Sequence, residues 1–176
     1  MKILKIGGIA VALLVVAVLG FAATRPDSFS VRRTASIQAP PEKIHGLLSD
    51  FRAWEAWSPW EKLDPKMKRT YSGEPKGKGA RYAWSGNSEV GEGSMTITEA
   101  QASRVALDLD FVRPFEGHNK VVFTLAPKGE ATEVTWSMSG PSPYITKVMQ
   151  VFCDMDGMIG KQFEAGLASL KAVTEK

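Results

Sequence analysis

The sequence predicts an α+β fold: a curved antiparallel sheet of about seven strands around a long C-terminal helix, with two short helices after strand 1 and a separate N-terminal transmembrane helix. Three observations carry this prediction. Between Pro143 and Val173 the apolar residues Ile145, Val148, Met149, Phe152, Ile159, Phe163, Leu167 and Leu170 recur at three- and four-residue steps, one face of a long helix. From Met67 to Ser139 apolar and polar residues alternate in short runs divided by turn residues. From Ile6 to Ala23 the chain carries no charge at all.

That first run, IGGIAVALLVVAVLGFAA, follows Lys2 and Lys5 and precedes Thr24, Arg25 and Pro26. Its eighteen residues would span about 27 Å as a helix, near the lower limit for crossing a bilayer. A cleaved signal peptide is the rival, with Gly20 and Ala22 as small residues of a cleavage site, but its apolar core runs only about 7 to 15 residues. The expected division is therefore residues 1–24 as a membrane anchor or uncleaved signal, 25–28 as a linker and 29–176 as the folded domain. A short basic start before an apolar run resembles an export signal. The expected location is the cell membrane, single-pass, with the domain on the extracytoplasmic, periplasmic side.

Phe29 to Gln38 reads as the first strand, with Val31, Ala35 and Ile37 on one side and Arg33 intruding on that apolar side near the strand's rim. Ala39-Pro40-Pro41-Glu42 opens a short helix, since proline in a first turn sacrifices no interior hydrogen bond, and Ile44, Leu47, Leu48 and Phe51 form its buried stripe. In FRAWEAWSPW, Trp54, Trp57 and Trp60 at spacing three share a face of a second small helix that Pro59 ends or bends. The trio reads equally as an aromatic plug or as the wall of a cavity.

The remaining strands are Met67–Ser72, Ala80–Ser85, Gly91–Glu99, Arg104–Val112, Asn119–Ala126 and Thr132–Ser139, with Gly73, Gly86-Asn87, Pro114 and Pro127-Lys128-Gly129 among the breaks. Their inward sets include Tyr82 and Trp84, Met95 and Ile97, Leu109 and Phe111, Val121 and Phe123, and Trp136 and Met138. Such alternation makes an antiparallel sheet with one apolar face. Inside the terminal helix, Gly157, Gly160 and Gly166 each cost about 1 kcal/mol relative to Ala, so they mark a kink, a close approach of another chain segment, or space over a cavity.

Several chemistries are excluded or weakened. Lys2 and Lys5 belong to the N-terminal segment, and the rest of the chain is close to neutral, so no nucleic-acid footprint is expected. Cys153 alone excludes a disulfide framework and a multi-cysteine metal site; on the apolar helix it is expected to be a small buried hydrophobe. His45 and His118 carry no metal-ligand spacing, and no serine stands in a nucleophile-elbow context, so neither a metal nor a cofactor is expected. Asp154, Asp156, Glu99, Arg81 and Asn87 are the groups left to supply a carboxylate and an oxyanion partner.

The opening IQAPPEKIHGLLSDFRAWEAWSPW and the later run ARYAWSGNSEVGEGSMTITEA, with the strand, two helices, six strands, long helix order, resemble the helix-grip fold of the START-like, Bet v 1-like (SRPBCC) superfamily. Within it they are similar to bacterial polyketide cyclase/dehydrase-like members with an N-terminal membrane segment. The resemblance covers Phe29 to Lys176 and implies a cavity between sheet and terminal helix. It does not select a reaction, because that superfamily includes carriers, receptors, cyclases and chaperone activators.

Trp54, Trp57, Trp60, Tyr82, Trp84, Phe111, Phe123, Trp136, Met138, Met149 and Phe152 are the residues expected to line a mostly apolar pocket. The function expected is a membrane-tethered binding module for a hydrophobic small molecule or lipid, with no catalytic residue assigned. Two alternatives stand beside it: a cyclase-like or hydrolase-like enzyme using a pocket carboxylate, and a protein-partner module recruiting another chain through an exposed sheet edge.

Overall fold

The computed structural model describes residues 2–176. Its elements are α1 (Lys2–Ala23), β1 (Ser28–Ile37), α2 (Pro41–Leu48), two 3-10 turns (Phe51–Ala56 and Pro59–Lys62), β2 (Lys68–Gly73), β3 (Ala80–Ser85), β4 (Glu92–Gln101), β5 (Arg104–Arg113), β6 (Gly117–Lys128), β7 (Ala131–Pro141), α3 (Tyr144–Phe152) and α4 (Met155–Thr174). Strands β2 to β7 follow one another as a meander, and β1 pairs with β7, giving one antiparallel sheet in the order β1-β7-β6-β5-β4-β3-β2. The inward residues are those the alternation selects: Ile97, Leu107, Val121, Phe123, Val134 and Trp136 are all buried.

Two of the expected helices differ in form. The Phe51–Trp60 segment is not an α-helix but two 3-10 turns. A 3-10 turn repeats every three residues, so the tryptophan spacing matches it better than the 3.6-residue period. The expected long terminal helix is two helices, α3 and α4, separated at Cys153 and Asp154. Asp154 leaves the helical conformation and its carboxylate accepts the Gly157 N–H at 3.0 Å, capping α4. The break hides in the periodicity because Phe152 and Ile159 are seven residues apart, two helical turns. It also overturns the buried placement of Cys153, which is exposed at the junction.

The glycines of α4 mark close approach. At Gly160 the Arg33 guanidinium from β1 occupies the place a side chain would take, while at Gly166 an added Cβ would stand 2.7 Å from Trp136 Cζ3 and 3.1 Å from Pro59 Cδ. Arg33 donates to Glu164 Oε1 at 2.7 Å and to Asp156 Oδ2 at 3.0 Å, which accounts for a charge on the inward side of β1. These carboxylates raise the Arg33 pKa further.

α1 is helical as expected, but its described side chains begin at Gly7, and among the described residues no helix is long and apolar enough to cross a membrane. α1 packs against α3: Ala22 is fully buried, Tyr144 Oη donates to the Leu19 carbonyl at 2.7 Å, and buried Lys147 pairs with Asp27.

Gly166→Val is expected to lower stability by about 1–3 kcal/mol through overpacking against Trp136, and Asp154→Ala by about 1 kcal/mol through the lost cap; chemical denaturation midpoints at equal slope measure both. On the β5–β6 hairpin, His118 Nδ1 lies 2.7 Å from Asp110 Oδ1, and that hydrogen bond, with the carboxylate's charge, raises the imidazole pKa. The pair's contribution is present in acid, where unfolded histidine is also protonated, and is lost as pH rises through the raised folded value. An NMR titration should place His118 above the ordinary imidazole value of about 6.5, and Asp110→Asn should bring it back down.

Candidate functional site

The grip between sheet and helices is filled at one end and hollow at the other. Toward the filled end, Val105, Leu107, Phe123 and Leu125 meet the side chains of α2 and of Leu167 and Leu170 from α4 in a closed core. Toward the β5–β6 turn the same strands continue as Leu109, Phe111, Asn119 and Val121, and there a cavity of about 570 Å³ opens. Its other walls are Tyr82 and Trp84 of β3, Met95 of β4, Trp136 and Met138 of β7, Phe29 of β1, the Trp54 and Trp60 side of the 3-10 turns, and Met155, Ile159 and Phe163 of α4. Thr146 of α3 and Pro143 before it complete the wall, and Glu89, Glu116 and His118 stand at exposed positions on the rim. The volume lies within the range of about 300–1,000 Å³ usual for small-molecule sites.

Of the eleven residues named from the sequence as pocket lining, Trp54, Trp60, Tyr82, Trp84, Phe111, Trp136 and Met138 come together around this cavity. Trp57 and Phe123 are fully buried beside it, their ring centroids 6.1 Å apart, and brace the wall from the core side. Met149 and Phe152 lie outside, exposed on α3. That placement follows from the break after Phe152, because α3 does not continue the inward stripe of α4.

The aromatic wall is held by specific contacts. Trp136 stacks on Phe163 with centroids 4.2 Å apart, and Trp60 meets Trp136 edge-on at 5.7 Å. Trp54 donates to the Leu48 carbonyl and Trp84 to the Val90 carbonyl, so both indoles are fixed in orientation. Trp136 is 2% exposed, yet its Nε1 has no protein partner, an unusual state for a buried donor.

One buried carboxylate lines this apolar room, and sequence reasoning did not single it out. Glu61 is carried by the second 3-10 turn, its side chain only 7% exposed. It accepts from Tyr82 Oη at 2.6 Å and from Arg69 Nε at 2.7 Å. Burial first, and the bond to Glu61 second, push the Tyr82 pKa well above the ordinary phenol range, so Tyr82 stays a neutral donor. The hydrogen bond to Glu61 raises Arg69 in turn. Glu61 stands beside Trp60 in a segment that reads as a small aromatic helix, plug or cavity wall, and only its pairing with strands β2 and β3 reveals it; no local pattern announces that.

The carboxylates and polar groups considered from sequence are placed elsewhere. Asp154 caps α4, Asp156 is paired with Arg33, Glu99 is paired with Arg104, Arg81 points from β3 to solvent, and Asn87 bonds within the β3–β4 turn region. None of them lines the cavity. His45 lies in α2 and does not line it either.

Comparison with solved structures gives the same architecture. Protein CV1439 from Chromobacterium violaceum aligns with a TM-score of 0.59 at 16% identity, over 84% of this chain and 99% of that one. The Aha1 dimer from Colwellia psychrerythraea aligns at 0.60 and 19%, over 84% and 96%. A Thermobifida fusca protein aligns at 0.60 and 23%, over 81% and 90%. At these identities the likeness is one of fold, the START-like, Bet v 1-like helix grip. No curated protein matches the chain in sequence. A family model described as polyketide cyclase / dehydrase and lipid transport matches residues 28–175, which is the whole of the sheet and both terminal helices, and the chain therefore belongs to that family.

Proposed function

We propose that this chain is a membrane-tethered module that binds a hydrophobic small molecule or lipid between its sheet and α4, with α1 as the anchor and the domain on the extracytoplasmic side. The observation that carries the reading is the cavity itself: about 570 Å³ of room walled by aromatic and methionine side chains. An apolar guest there would gain the dispersion contacts that the wall side chains otherwise lack and would remove their apolar surface from water. The polar features are few and fixed. Tyr82 and Glu61 mark one part of the wall and Asn119 another. This suits an amphiphile with a long apolar body and a small oxygenated group. The anchor is supported by α1, whose 22 residues extend about 33 Å, and by the exposure of Val11, Leu13, Leu14, Val16 and Phe21 on it.

A second reading, a cyclase-like or hydrolase-like catalyst, is favoured by one specific observation, the placement of buried Glu61 in the cavity wall with a neutral Tyr82 hydroxyl on it. A carboxylate held this way has free lone pairs to accept a proton or orient a hydroxyl of the guest.

The full-length protein purified gently from its own membrane should yield a specific lipid or apolar metabolite by mass spectrometry. Met138→Trp, which fills the cavity, should reduce recovery at least about tenfold, or ~1.4 kcal/mol, with circular dichroism unchanged. Equal recovery from the filled variant, or nothing bound above a detergent control, would overturn the carrier reading. Incubation of the isolated guest separates the two readings further: the carrier returns it with its mass unchanged, whereas a catalyst converts it and Glu61→Gln abolishes the conversion while the fold persists.

A further inference from the structure

α3 is amphipathic in an inverted sense for a folded domain. Its charged Lys147 is turned inward and buried against Asp27, while Ile145 (67% exposed), Met149 and Phe152 (72% exposed) stand in solvent. Positions 145, 149 and 152 are four and three residues apart, one face of one helix. Isolated exposed apolar side chains are ordinary, but a row of large ones marks an interaction surface.

Its neighbour indicates what covers that row. α3 contacts α1 near the end of the apolar run, through Tyr144 to the Leu19 carbonyl and around buried Ala22. The remaining described faces of α1 are also apolar and exposed, so the two helices present one continuous oily surface. An uncharged run of this length matches the hydrocarbon core of a bilayer. A helix clasping its last turns lies at the level where such a run emerges, the layer in which amphipathic helices settle with their apolar side down and where tyrosine is favoured. In the β5–β6 turn, Phe115 is exposed as well, next to the rim residues Glu116 and Gly117.

We propose that the Ile145, Met149 and Phe152 face of α3 is seated in the interfacial layer of the bilayer that holds α1, with Phe115 beside the rim joining it, so that the cavity opens onto lipid instead of water. The proposal rests on the membrane-tethered reading. It assigns α3 two faces with two roles: Thr146 faces the cavity, and the apolar row meets the membrane. A guest then passes between bilayer and cavity without its apolar body crossing water.

Cys153, the chain's only cysteine and exposed at the end of α3, provides the probe. The full-length chain, labelled there with a bimane and reconstituted in phosphatidylcholine/phosphatidylglycerol vesicles, is exposed to lipids carrying shallow nitroxides. Phe152→Cys and Glu130→Cys, each in a Cys153→Ser background, serve as the apolar-face site and as a control in the β6–β7 turn. Quenching at 152 and 153 should exceed that at 130 several-fold, and Ile145→Ser with Met149→Ser should reduce quenching at 153 and slow transfer of a fluorescent lipid into the cavity. If 152 is no more quenched than 130 while the chain resists alkaline carbonate extraction, the α3 proposal is wrong and the anchor stands. Release by carbonate overturns both, and strong crosslinking between the 152 sites of two copies assigns the face to a dimer and overturns the membrane seating.

Discussion

Everything in this fold depends on how closely α4 is pressed to the sheet along its length. Where the helix backbone is bare, at Gly160 and Gly166, the Arg33 guanidinium and the Trp136 indole lie against it. The ion pairs of Arg33 are partly exposed, with the partner carboxylates about 60% so, and pairs of this kind contribute about 0–1 kcal/mol. Burying Phe163, Leu167 and Leu170 is worth about 1.5–3 kcal/mol each and supplies the attachment. Arg33 therefore sets the position of the helix along β1 more than it holds it there.

The hollow end follows from the same geometry. Below Gly166 the helix is in contact, and beyond Ile159 it gives way to the Asp154 cap and a change of direction into α3. The sheet does not narrow to match, so the strand ends at Leu109, Phe111, Val121 and Met138 face space. Aromatic rings keep that space from collapsing. Trp136 is clasped between Phe163 and Trp57, and Trp84 is tied to the Val90 carbonyl, so neither can fold inward without breaking packed contacts. A wall of pre-oriented rings lowers the ordering cost of taking up a guest. The Glu61, Arg69 and Tyr82 set adds a polar spot to that wall. A buried ion pair of this kind is weak evidence for added stability, because desolvation offsets much of its attraction.

The hollow end and α1 are connected through α3, whose Tyr144 donates to the Leu19 carbonyl of α1, whose Lys147 pairs with Asp27 after it, and whose Thr146 lines the cavity. The relation joins the two unusual features of the chain, an apolar N-terminal helix and an apolar room, in one connected structure. Fold membership alone would not predict it, since helix-grip domains serve many chemistries.

The sheet was legible in the residues because a period of two is unambiguous wherever one face is buried: Val121, Phe123 and Leu125, or Val134, Trp136 and Met138, can point only one way. The amphipathic face of α4 was legible from its three- and four-residue steps, as was much of the cavity wall, since inward aromatic residues on neighbouring strands must meet, whereas the apolar face of α3, expected in the core, stands exposed. The break at Asp154 was not, because seven residues return to the same helical face whether or not the helix continues. Nor was the inward turn of Lys147, the exposure of Phe152, or the role of Glu61. Local sequence determined which residues are apolar and on which face of their own element they stand. Tertiary structure alone decided which faces meet and which remain apart, because the distance between a strand and a helix depends on side chains more than a hundred residues away, as Arg33 and Glu164 show.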